Sequence, residues 1–104
     1  MAAVSREFIQ GRQVQGEDER IAYRVSTTPW GSAPTSVVVV VKDVRASYAD
    51  VTATNMTGSP SVVGDLITLP ILHSLIAGKT YRIEVKFTSG GNVFEAYGHV
   101  QAER

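Results

Sequence analysis

Residues 81–101 read YRIEVKFTSGGNVFEAYGHVQ, and their pattern decides the fold class. Tyr81, Ile83, Val85 and Phe87 alternate with Arg82, Glu84, Lys86 and Thr88, a period of two that belongs to a half-buried strand. Ser89-Gly90-Gly91-Asn92 follows as a tight turn, because its glycines reach positive φ at no steric cost. Val93 to Gln101 then returns as the hairpin partner. Phe94, Ala96, Gly98 and Val100 are its expected inward residues.

The same signature extends along the chain. Ile21, Tyr23 and Val25 alternate with Arg20, Ala22 and Arg24, and Glu17-Asp18-Glu19 precedes them as a solvated charge cluster. Residues 27–34 form a loop by composition, with two prolines. Ser36 to Val44 is a strong strand. Its five consecutive valines, Val37 to Val41, suggest burial on both faces or a central position. Lys42 and Asp43 at its end read as charged gatekeepers against aggregation. Asp50 to Asn55 alternates weakly, residues 56–60 form a turn, and Ser61 to Val63 and Leu66 to Leu69 give short strands that Pro70 closes. Residues 4–13 supply an edge strand through Phe8 and Ile9. Together these predict one all-β domain over residues 1–104, a sandwich of about seven or eight antiparallel strands.

Composition narrows the function. The chain has 104 residues, enough for one domain that buries roughly two thirds of its unfolded surface. Ten basic residues balance ten acidic ones, so no overall field draws the protein to nucleic acid or anionic lipid. The charged fraction is only 19%. Such a surface is weakly defended against association, which favours a protein partner or self-assembly. There is no cysteine, so disulfides, thiolate metal sites and a cysteine nucleophile are excluded. The amino-terminal residues are too short an apolar run for a signal peptide, and five valines are far short of the roughly twenty residues of a membrane span. A chain without membrane or targeting segments is expected.

Gly78-Lys79-Thr80 imitates the tail of a phosphate-binding loop. That loop needs a first glycine five residues earlier, where His73 stands, and a helix afterwards, where a strand begins. No nucleotide and no other cofactor is expected. His73 and His99 lie on different elements without metal-ligand spacing, and no nucleophile elbow surrounds any serine. Asp43, Asp50 and Asp65 could gather near loop ends for calcium, but EF-hand spacing is absent and solvated turn aspartates are the simpler expectation. No catalytic or metal-binding residue is therefore assigned. A possible interaction surface comprises Trp30, Tyr48 and Tyr97. Trp30 either offers its ring to a partner or sugar, or folds back to cap the core.

Leu75-Ile76-Ala77-Gly78-Lys79-Thr80-Tyr81 resembles the Leu-x-Pro/Ala-Gly-x-x-Tyr corner of fibronectin type III and related immunoglobulin-like sandwiches. The resemblance implies a structural corner of Leu75, Gly78 and Tyr81, in which the tyrosine ring is buried and its hydroxyl satisfies a backbone group. More broadly, the succession Tyr23-Arg24-Val25, Thr28-Pro29-Trp30-Gly31, Val39-Val40-Val41-Lys42-Asp43, Gly64-Asp65-Leu66-Ile67-Thr68-Leu69-Pro70, Tyr81-Arg82-Ile83-Glu84-Val85 and Phe94-Glu95-Ala96-Tyr97 looks like small proteins of bacteriophage and prophage structural gene clusters. That resemblance implies a non-enzymatic structural module in a capsid, neck or tail, located in the virion or the bacterial cytoplasm. The alternative is a carbohydrate-binding sandwich using Trp30 and nearby aromatics.

Overall fold

The structure, a computed structural model, describes residues 7–104. It is an all-β domain with one short α-helix and one 3-10 turn among the described residues. Its largest sheet has five strands. They are β1 (Glu7–Gly16), β3 (Thr35–Asp43), β4 (Ala49–Asp50), β9 (Thr80–Ser89) and β10 (Asn92–Glu103), in the order β1-β10-β9-β3-β4. A three-stranded sheet, β2-β7-β6, contains β2 (Arg24–Ser26), β6 (Ser61–Val63) and β7 (Leu66–Thr68). A third ladder pairs β5 (Met56–Thr57) with β8 (Ile71–Leu72).

The β9–β10 hairpin is the centre of the large sheet and follows the alternation of its sequence. Tyr81 pairs with Val100, Ile83 with Gly98, Val85 with Ala96 and Phe87 with Phe94. These pairs face the core, and Val39 and Val41 of β3 continue their rows through Val85 and Ile83. Against them pack Val25, Ile67, Leu69, Leu72, Met56 and Leu75 from the smaller sheets and connections. Burying each such side chain contributes about 1.5–3 kcal/mol, so this shared core dominates the stability. Sheets burying a common core in this way are consistent with a β-sandwich.

One buried amide ties the layers together. Gln15 of β1 is wholly buried. Its Nε2 donates to the carbonyl of Leu72 at 2.9 Å and to that of Glu19 at 3.0 Å. Its Oε1 accepts the Tyr23 hydroxyl at 2.8 Å. Burial, with a smaller contribution from Glu19, pushes the Tyr23 phenol up to about 12.

Several elements depart from the sequence expectation. The strands number ten among the described residues, since turn residues break the smaller sheets into ladders of two or three residues. β1 runs parallel to β10, so the large sheet is mixed rather than wholly antiparallel. Of the expected edge strand, residues 4–6 lie outside the described residues. Of Asp50 to Asn55, only Asp50 is in a strand, as the end of β4. Asp50 Oδ1 accepts both the N–H and the hydroxyl of Thr52 at 2.9 and 2.7 Å, and this turn starts the short helix α1 (Thr52–Asn55). Residues 56–57, expected in a turn, form β5 instead.

The valine run is not buried on both faces. Val41 is buried, Val37 and Val39 pack on the core, and Val38 is 49% exposed on the outer face. Asp43 is no surface gatekeeper either. Continuing the inward phase of Val39 and Val41, it is 3% exposed, and its Oδ2 meets Lys79 Nζ at 2.8 Å.

Candidate interaction surface

The corner at residues 75–81 is built as follows. Leu75 is buried, Gly78 takes φ +90°, and β9 begins at Thr80. The Gly78 N–H donates to the Ala102 carbonyl at 3.0 Å, fastening the turn to β10. Tyr81 is 2% exposed, and its hydroxyl oxygen accepts the Ile76 N–H at 3.0 Å. Lys79 is engaged with Asp43 rather than projecting freely, and a strand follows Thr80. The phosphate-loop resemblance therefore sits on a turn whose lysine braces β3. The ion pair holds the Asp43 carboxyl below the usual carboxylate range, the hydrogen bond from Lys79 being the largest cause.

The three aromatic residues of the expected surface do not converge. Trp30 is half-buried and meets Phe87 edge-on at 6.1 Å between ring centroids. Its loop is held by Trp30 and Gly31 N–H groups donating to the Thr27 carbonyl, and by Ser89 Oγ donating to the Ser32 carbonyl at 2.6 Å. Tyr48 is 49% exposed at φ +58°, after the 3-10 turn Val44–Ala46. Trp30 thus lies near the Phe87 end of β9 and Tyr48 near the Tyr81 end, separated by about 20 Å of strand. Tyr97 stands on the outer face of the large sheet, away from both ends.

That outer face carries a packed group of charged and aromatic side chains. Arg82 places its guanidinium 4.3 Å from the centroid of the Tyr97 ring. His99 meets the same ring edge-on at 5.5 Å. Arg82 Nε lies 3.1 Å from Glu84 Oε2 but off line for a hydrogen bond, so the two form an ion pair only. Beside them, Val38, Val40, Arg82, Glu84, Lys86 and Glu95 line an open depression of about 180 Å³. Its lining sets valine side chains beside charges of both signs.

The edge of this sheet adds a second feature. β4 pairs only with Lys42 and Asp43. Just before them, the Val41 carbonyl accepts the Val51 N–H at 2.9 Å, and the Val41 N–H donates to Thr52 Oγ1 at 2.9 Å. Thr35 and Val38 to Val40 pair with β9 on one side, with a register shift at Ser36 and Val37, and the stretch has no strand on its other side among the described residues. An edge with unpaired backbone groups is a template for strand addition.

Sequence reasoning missed one polar chain. His73 Nε2 lies 2.6 Å from Thr57 Oγ1, and its Nδ1 lies 2.7 Å from Ser74 Oγ. Both ring nitrogens are committed to hydroxyls, so no carboxylate orients the ring as a hydrolytic triad requires. Neighbouring Asn55 is buried, its Nδ2 donating to the His73 and Ser74 carbonyls, and the group serves to fix this crossover. The pairing of β5 with β8 brings Thr57 to His73, a juxtaposition that spacing alone does not reveal.

Asp43, Asp50 and Asp65 do not form a cation site. Asp50 is occupied by Thr52, whose backbone hydrogen bond is the main cause lowering its carboxyl, and Asp65 Oδ1 accepts the Ala33 N–H at 3.0 Å. No three acidic or histidine side chains gather around a metal position among the described residues. Nor is any described helix long and apolar enough to cross a membrane. The chain matches no model of a known protein family, and no curated protein is significantly similar to it.

Proposed function

We propose that this chain is a non-enzymatic interaction module with an immunoglobulin-like sandwich fold, and that it binds protein through the outer face and open edge of its large sheet. The observation that carries the proposal is the β3 edge, uncharged from Thr35 to Val41 and without a strand partner over most of its length. The immunoglobulin-like assignment is supported by strand order. β2-β7-β6 and β10-β9-β3 correspond to the B-E-D and G-F-C orders of such sandwiches, and a buried tyrosine pins the connection before β9. Trp30, engaged with Phe87, supports a packing role over a sugar platform.

The resemblance to phage structural clusters extends this reading to a capsid, neck or tail component. Mass spectrometry of purified particles from the source strain, with inspection of the flanking genes, tests that extension. The chain in particles and capsid or tail genes beside its own is the expected result. A chain absent from particles, with metabolic neighbours, overturns the phage assignment. Measurable turnover of a substrate by the purified chain would overturn the non-enzymatic reading itself.

A further inference from the structure

We propose that two copies of this chain pair antiparallel along the open edge of β3, centred near Val38, so that their large sheets continue across a two-fold axis. The proposal rests on the interaction-module reading and names the partner of its open edge.

Hydrogen-bond phase selects the residues. Val41 directs both its N–H and its C=O away from β9, toward Thr52 and Val51. Directions alternate along a strand, so Val40 bonds β9 while Val39, and Val37 by the same alternation, turn their backbone groups outward. The usable edge has two limits. Toward Lys42 it is closed by Val51, Thr52 and β4. Toward Thr35 the register with β9 shifts and Ser36 takes φ +53°, a bulge that bends the strand away. What remains open is Val37 to Val40.

A second copy of this segment fits it. Set antiparallel with Val38 opposite Val38, each Val37 faces Val39 of the other copy, giving about four hydrogen bonds in ladder geometry. No capped group at Val41 has to be released. The edge carries no charge to repel its copy, the chain has net charge zero, and Val38 is exposed on the outer face where two such side chains would meet. A contact this short buries less than the roughly 1,200 Å² of a stable interface, so the dimer forms reversibly with concentration.

Light scattering of the full chain over a concentration series tests this, with Val38→Lys and Val38→Glu as variants. Both place a charge at an exposed position, and circular dichroism establishes that they keep the fold. The expected result is a wild-type mass rising toward twice that of the chain, with each variant held monomeric alone. Mixing the two variants in equal amounts then restores association. A wild type that stays monomeric to its solubility limit overturns the proposal, and so does a dimer that Val38→Lys leaves intact. A chain monomeric alone but bound to another protein overturns the self-pairing and leaves the interaction-module reading standing. A chain that stays monomeric and binds no other protein overturns both.

Discussion

The hydroxyl oxygen of Tyr81 accepts the backbone N–H of Ile76 at 3.0 Å, five residues upstream, closing the connection that leads into β9. The ring is buried, so the hydroxyl is positioned by packing and the hydrogen bond adds little further ordering cost. Removing the oxygen leaves the Ile76 N–H without this partner. Tyr81→Phe is expected to lower stability by about 1–2 kcal/mol in urea unfolding, without changing the transition slope. An unchanged midpoint would show that the corner contributes nothing.

Gln15 satisfies three groups at once, the Leu72 and Glu19 carbonyls and the Tyr23 hydroxyl. Gln15→Ala orphans buried partners and opens a void, with an expected loss of about 2–4 kcal/mol. Tyr23 adds an alkaline signature. Its phenol titrates near 10 unfolded and at about 12 folded. The neutral form belongs to the fold, so its stabilisation is complete below pH about 10 and declines as pH rises toward the folded value. Tyr23→Phe should flatten that alkaline decline in thermal unfolding.

Asp43 predicts the opposite sign. Its carboxyl is held low, first by the hydrogen bond from Lys79, so the ionised form belongs to the fold. The stabilisation is present above the unfolded value of about 3.9 and is lost as pH falls through the lower folded value. Asp43→Asn should be less stable at neutral pH and lose less on acidification. Parallel acid curves for the two proteins would contradict the assignment.

Gly31 sits where the Trp30 loop crosses the end of the β9–β10 hairpin. A Cβ there would overlap Ser89 Oγ and stand 2.9 Å from Ser89 Cβ. Ser89 is itself buried and bonded to the Ser32 carbonyl, so it has little freedom to yield. Gly31→Ala is expected to cost about 1–3 kcal/mol as an overpacked contact. Tryptophan fluorescence should shift as Trp30 leaves Phe87.

The hairpin was legible because Tyr81 to Thr88 carries an uninterrupted period of two and a glycine turn follows it, although Val93, Tyr97 and His99 blur the outer face of the return strand. Asp43 could have been found by the same rule. Positions 39, 41 and 43 share one phase, so its charge had to lie inward and required a cation. The lysine that met it was the one imitating a phosphate loop. β5, β8 and α1 were hidden because two to four residues carry no periodicity. The parallel pairing of β1 depends on which neighbour it finds in space. The uncovered β3 edge was likewise invisible, since five valines look equally buried whether or not a strand lies beside them.

The most direct test of the open-edge account is residue-resolved amide exchange along β3. Val40 N–H should be protected by the ladder to β9 and Val41 N–H by Thr52 at every concentration. Val39 N–H should exchange rapidly in dilute solution and become protected as the protein is concentrated. A Val39 amide that is protected in the dilute monomer, or that never gains protection as copies associate, would contradict the account.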